Sequence, residues 1–114
     1  MAIKKVIAII DELVLDAVED ALEAHGVRGF TIHPVKGRGN YCNTFTKNKL
    51  VNHSQIELYT SEASADKIAS LIMKIADVGG ESEGLVAINA VEQLHWVNGQ
   101  KAASDEEFKF FEVN

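Results

Sequence analysis

Residues 35–40 read VKGRGN, an arginine between two glycines directly behind an apolar, β-prone run. Glycines let backbone N–H groups approach a ligand closely, and a guanidinium pairs with phosphate or carboxylate oxygens through two parallel hydrogen bonds. The stretch is a candidate rim for a phosphate or a small anion. It is not a P-loop, because the lysine–serine ending is missing and no helix pattern clearly follows. Taken by itself, KGRG reads as a tight turn. A second glycine-rich stretch, GGESEG at residues 79–84, also permits close backbone approach, but Glu81 and Glu83 would repel phosphate unless they point away.

The remaining reactive residue types are scattered. His25, His33, His53 and His95 show neither an H-x₃-H nor an H-E-x-x-H spacing, so they form no recognisable zinc pattern. His25 stands near a helix end, where a positive charge suits the dipole. His33 is expected to face solvent or an interface. Cys42 is the chain's single cysteine; it can build no disulfide framework and fits a reducing, cytoplasmic compartment. Carboxylates are plentiful, yet none has a partner in sequence that would tune it for acid–base work. No serine–histidine–aspartate or cysteine–histidine arrangement is suggested, and no enzyme is expected.

Bulk properties narrow the classes further. The 114 residues carry a formal net charge of −6, with 46% hydrophobic and 25% charged residues. That length fits one domain, and a chain this small leaves enough apolar surface for oligomerisation. The acidic balance argues against non-specific nucleic-acid binding, which needs lysine and arginine to neutralise phosphates. No apolar run approaches the roughly 20 residues that span a bilayer. The opening MAIKKVIAII is followed at once by Asp11 and Glu12, so it does not read as a signal peptide.

These residues must be positioned by a short list of elements. Residues 3–10 are β-branched and apolar on both faces, which predicts a central strand. Asp11 can cap a helix in which Val14, Ala17, Val18 and Ala21 repeat at helical spacing, closed by His25–Gly26. Residues 27–35 predict a second strand, with Pro34 marking an edge or an exit. Residues 37–54 are polar and irregular, a long connection for so small a domain. Residues 55–60 predict a third strand, Ser61 or Ser64 a helix cap, and Ile68, Leu71, Ile72 and Ile75 the second helical stripe. Residues 85–91 predict a fourth strand with a continuation toward Val97, and Asn98–Gly99 a turn. Ser104 and Glu107 form a capping-box pattern before Phe108 and Phe111, although FKFFEV reads equally as a strand. The tail is open between a lid or docking element and a frayed terminus. Two βαβ-like halves on one antiparallel sheet make an α+β, ferredoxin-like βαββαβ domain. One sheet face packs on both helices, and the other needs a cover, most simply another subunit.

The sequence resembles the PII family of signal-transduction proteins. The matching stretches are KKVIAII at residues 4–10, GVRGFTIHPVKGRG at 26–39, QIELYT at 55–60 and GESEGLVAINAVEQLHWVNG at 80–99. They occur in the family's order, and the long loop begins where the family's mobile T-loop begins. The resemblance implies a PII-like domain over residues 1–100, with a T-loop at 37–54, a B-loop at 79–84 and a separate tail at 101–114. It further implies a homotrimer that binds adenine nucleotides between neighbouring subunits and docks its T-loop on a transporter, enzyme or regulator. On that resemblance Gly37, Arg38 and Gly39 open the T-loop beside the phosphates. Ile9 packs on the base or ribose, and Thr31 with Glu57, Leu58 and Tyr59 lies near the adenine. Gly84 offers backbone N–H groups to phosphate oxygens, and His95 and Val97 stand where the family's C-loop carries its basic pair.

Several departures from the family pattern matter. The B-loop lysine falls on Leu85, the C-loop arginines on His95 and Val97, and the basic residue after the second T-loop glycine on Asn40. Charge-assisted bonds to phosphate are the strong ones, so a triphosphate would be poorly neutralised. Arg38 and a protonated His95 are the replacement cations. The pattern predicts AMP or ADP over ATP and a loop without the modifiable tyrosine, since Tyr41 lies too early. In these respects the chain is similar to the PII-like branch found beside inorganic-carbon transporters and carboxysomes, some members of which bind bicarbonate with the nucleotide. Arg38, Gly39 and Asn40 are the candidate bicarbonate ligands, and a membrane transporter or carbon-fixation protein is the expected partner. Two other readings stand beside this one: a nucleotide-independent trimeric interaction scaffold, and a metal-binding trimer.

Overall fold

The apolar run at the start of the chain forms strand β1, Ile3–Ile10. Its two faces differ. Val6, Ala8 and Ile10 are buried, whereas Lys5, Ile7 and Ile9 are half-buried on the opposite face. The computed structural model of the chain describes residues 2–37, 51–79 and 84–110. Among them, β1 is flanked on both sides, by β3 (Val51–Ser61) and by β4 (Gly84–Val91), as expected of a strand apolar on both faces. Strand β2 (Thr31–Gly37) pairs with β3 at the sheet edge, giving the all-antiparallel order β2-β3-β1-β4. With its two crossover helices this is the α+β ferredoxin-like arrangement predicted from the sequence.

Local chemistry explains the helices. Asp11 Oδ1 accepts from the Leu13 N–H at 2.9 Å and starts a 3₁₀ turn, Glu12–Val14, which leads into α1, Leu15–Ala24. Gly26 adopts φ +87° and lets the Val27 N–H return to the Leu22 carbonyl at 3.0 Å, closing α1. His25 Nδ1 lies 2.8 Å from the Ala21 carbonyl, at the helix end where the sequence reading put it. Ser61, rather than Ser64, caps α2 (Glu62–Ala76): its Oγ accepts from the Ser64 N–H at 3.3 Å. Both helices lie on one face of the sheet. Val18 and Leu22 of α1 and Ile68 and Ile72 of α2 close a core with Val6, Ala8, Ile10, Ile56 and Leu58.

Boundaries of three strands differ from the sequence reading. Strand β3 begins at residue 51, not 55, because the ladder against β2 continues through Pro34↔Ser54 to Gly37↔Val51. Residues 51–54 therefore belong to the sheet, and the rest of the expected loop, residues 38–50, lies outside the described residues. Strand β2 begins at Thr31, since residues 27–30, which include Gly29, run up to the sheet without joining it. Strand β4 stops at Val91. The chain then forms a small hairpin, β5 (His95–Trp96) with β6 (Lys101–Ala102), around the Asn98–Gly99 turn.

The segment beyond β6 is part of the packing as far as it is described. A 3₁₀ turn, Asp105–Phe108, brings Phe110 into the core cluster. Ser64 Oγ donates to the Phe110 carbonyl at 2.8 Å and accepts from the Phe110 N–H at 3.0 Å. Thr60 Oγ1 donates to the Phe108 carbonyl at 3.2 Å. Residues read from sequence as a separate tail thus fasten to β3 and α2.

Candidate functional site

Strand alternation sorts the predicted ligand residues by face. Thr31, Glu57 and Tyr59 stand on the sheet face away from the helices, as does Ile9. Leu58 points the other way, into the core, with 2% exposure. Its side chain is committed to packing against the helices and only its backbone is left for a ligand.

Register then separates the residues along the sheet. Gly84 pairs with Ile10, and Ile10 with Ser54, at the end where β2 runs out to Gly37. Ile9, Gly37 and Gly84 therefore share one end. Thr31 pairs with Glu57 at mid-sheet, and Tyr59 stands further along, opposite Lys5. His95 follows the far end of β4, in a hollow lined with Ile3, Val91 and Ala102. Seven strand steps separate Gly84 from Val91, or about 23 Å. One chain does not bring Gly84 and His95 to a common mononucleotide. Arg38, Gly39 and Asn40, and Glu81 and Glu83 of the second glycine-rich stretch, lie outside the described residues.

Gly84 is shaped for close approach. It adopts φ +134°, and a Cβ there would stand 2.0 Å from the Ile9 carbonyl oxygen. The backbone of β4 thus starts hard against β1, where a side chain would be excluded. Leu85, in the family's lysine position, is paired with Ile9 and partly exposed on the open face.

The open face carries a charged cluster centred on Glu57. Lys5 Nζ lies 3.0 Å from Glu57 Oε1, and Gln55 Nε2 donates to Glu57 Oε2 at 2.7 Å. His33 Nε2 stands 3.6 Å from the same Oε2, an ion pair when the imidazole is protonated. The hydrogen bond from Lys5, then that from Gln55, holds the Glu57 carboxyl below the usual carboxylate range against the opposing effect of burial. The same contact raises the Lys5 ammonium above its ordinary value.

Beside this cluster opens a cleft of about 680 Å³. Arg28, Phe30 and Thr31 form one wall and Glu57 to Tyr59 the floor. The opposite wall is Trp96, Glu107 and Phe108. Trp96 stacks on Phe108 with ring centroids 5.7 Å apart and an interplanar angle of 15°. Trp96 Nε1 donates to Glu107 Oε1 at 3.0 Å, and the Ser104 N–H donates to Glu107 Oε2 at 2.8 Å. The backbone bond from Ser104, followed by that from Trp96, lowers the Glu107 carboxyl from its ordinary value. Sequence reasoning placed Thr31, Glu57 and Tyr59 here but missed the opposite wall. It read Glu107 only as half of a capping box. The meeting of Glu107 with Trp96 depends on the tail folding back over the hairpin, which no local pattern encodes. Among the described residues no group of three or more His, Cys, Asp or Glu side chains is placed to hold a metal ion.

A ferredoxin-like subunit with an uncovered sheet face and ligand-type residues divided between the two ends of that sheet is the class this architecture defines. The nitrogen regulatory protein P-II family matches residues 3–101, and the chain belongs to that family. It is 30% identical over 98 residues to nitrogen regulatory protein P-II 2 of Methanothermobacter thermautotrophicus, covering 80% of this chain and 85% of that protein. Over 98 residues it is also 30% identical to the nitrogen regulatory protein P-II of Porphyra purpurea, covering 80% of this chain and 88% of that protein. The Pyropia yezoensis nitrogen regulatory protein P-II is 28% identical over 98 residues, with the same coverages of 80% and 88%. The PII-like signal-transduction assignment is thereby established, and with it a family of regulators that form trimers and bind adenine nucleotides. No helix among the described residues is long and apolar enough to cross a membrane.

Proposed function

We propose that this chain is a cytoplasmic, homotrimeric PII-like regulator that takes AMP or ADP in preference to ATP. Bicarbonate is the second small ligand in this reading. The output is control of an inorganic-carbon transporter or a carbon-fixation partner through the segment of residues 38–50, between β2 and β3. The observation that carries the reading is the loss of cations where the family pattern has them: Leu85, His95 and Val97 stand in those places. A nucleotide held with so few charge-assisted bonds favours the form with fewer phosphates. The split of ligand residues between opposite sheet ends supports a site completed by a neighbouring subunit, since Gly84 and His95 are too far apart to act together in one chain. Arg38, with Gly39 and Asn40, supplies the anion contacts in this reading. Ligand binding then shifts the loop between states, and does so only as far as it binds one state better than the other.

The test is calorimetric titration of the purified protein with AMP, ADP, ATP and cyclic AMP, each with and without bicarbonate. Tighter binding of AMP or ADP, strengthened by bicarbonate, is the expected result. Absence of heat with every nucleotide, together with no thermal shift, would overturn it. That outcome would favour a nucleotide-independent trimeric scaffold, a reading that the same missing cations support.

A further inference from the structure

The cleft walled by Arg28, Thr31, Tyr59, Trp96 and Glu107 has an unusual balance of character. Its walls are aromatic: Phe30, Tyr59, Trp96 and Phe108 offer flat apolar surface of the kind that accepts a planar heterocycle. Its charges are not those of a phosphate site. Arg28 supplies one positive charge to the lining, while Glu57 and Glu107 supply one negative charge each. Glu57 is already matched by Lys5 at 3.0 Å. Glu107 makes no ion pair that close among the described residues, although the Lys101 ammonium lies near enough to help lower its carboxyl. Its carboxylate accepts from two neutral donors, the Trp96 indole and the Ser104 N–H, which fix its position and leave its charge in place.

We infer that Glu107 is a specificity-determining residue, a fixed negative charge that limits how much phosphate the aromatic cleft accepts. This rests on the nucleotide reading above and assigns its selectivity to a residue outside the matched 3–101 segment. A space of about 680 Å³ is on the order of 9 Å across, close to one Debye length at physiological ionic strength. A nucleotide whose base enters the cleft and whose phosphates run along the Glu107 wall keeps them within reach of that charge. Each added phosphate then raises the repulsion, so a monophosphate is disfavoured least and a triphosphate most. The geometry also makes Trp96 a positioning residue, since its indole N–H holds the carboxylate on the cleft wall.

The experiment titrates the full-length protein and its Glu107→Gln variant with AMP, ADP and ATP by calorimetry. Glu106→Gln serves as the control, because Glu106 pairs with Lys109 at 2.8 Å and does not line the cleft. In Glu107→Gln the ATP-to-AMP affinity ratio is expected to rise roughly two- to fivefold, the size of a screened, exposed charge effect. ADP should fall between the two. Raising salt from about 0.05 M to about 0.5 M should erase most of the gain. A ratio unchanged in Glu107→Gln, or raised equally in Glu106→Gln, overturns the charge filter while leaving nucleotide binding intact. A wild-type protein that binds none of the three nucleotides overturns both readings together.

Discussion

Lys5 Nζ and Glu57 Oε1 lie 3.0 Å apart on the uncovered face of the sheet, on neighbouring antiparallel strands one diagonal step from direct register. Glu57 also receives Gln55 at 2.7 Å, so its carboxylate is held by a cation and an amide together. Lowered on folding, the Glu57 carboxyl contributes stability that is present above its unfolded value near 4.5 and lost as pH falls through the lower folded value. Lys5 works in the opposite sense. Its contribution is present below 10.5 and lost as pH rises through the raised folded value. Glu57→Gln is expected to cost about 0.5–1 kcal/mol at neutral pH, the range of a solvent-touched pair, and nothing once the wild-type carboxyl is protonated. Denaturant melts of both proteins at fixed subunit concentration, at pH 7 and at a series of pH values stepping down below 4.5, read this directly, the deficit shrinking as pH falls through the lowered folded value. A deficit that persists at the acid end would assign the cost to packing rather than to charge.

Gly84 and Gly79 both have positive φ, yet they predict different outcomes for the same substitution. At Gly79 an added Cβ meets nothing within 4 Å, whereas at Gly84 it would stand 2.0 Å from the Ile9 carbonyl oxygen. Gly79→Ala should therefore cost only the conformational penalty, about 1 kcal/mol. Gly84→Ala must move the first residues of β4 off β1 and should cost about 3 kcal/mol or more. Thermal melts separate the two. Equal losses would mean that the start of β4 yields easily, and would remove Gly84 as a rigid edge of the site.

Phe110 lies 46 residues in sequence from Ser64, and the two share a reciprocal pair of hydrogen bonds. The residue is 8% exposed. Phe110→Ala should destabilise the fold by about 3 kcal/mol, the low end for a large core truncation because the site is at the margin of the core. Ser64→Ala should cost about 1–2 kcal/mol, since it leaves the buried Phe110 backbone groups without their partner. Chemical denaturation measures both. Losses under about 0.5 kcal/mol would return residues 104–110 to the status of a loosely attached end.

What the sequence disclosed divides along physical lines. Residues 3–10 and the two helical stripes were legible because burial imposes a period that the side chains display directly. Asp11, Ser61 and Gly26 were legible as caps, since their chemistry acts within a few residues. The start of β3 was not. Asn52, His53 and Ser54 have weak or middling strand preference, and it is the ladder to residues 34–36 that holds them extended. The cleft was half legible: Thr31, Glu57 and Tyr59 came from the resemblance, while Trp96 and Glu107 meet across 11 residues through a tail whose course only the tertiary structure sets. Leu58 shows the limit of carrying a contiguous stretch across as a site, because strand alternation turns every second side chain to the opposite face.

Val97 is 93% exposed in the turn between β5 and β6, so a substitution there disturbs no packing within the subunit. It stands where the PII pattern carries one of its C-loop arginines. If missing cations set the preference for fewer phosphates, Val97→Arg should partly reverse it. One added guanidinium at an exposed position should raise ATP affinity relative to AMP by about three- to tenfold. The change should add to that of Glu107→Gln only in part, because in this reading both act on the same phosphate charge. Calorimetry on the two single variants and the double variant measures the coupling. A Val97→Arg protein with an unaltered ATP-to-AMP ratio would take position 97 out of the phosphate path and shift the origin of selectivity to the segment of residues 38–50.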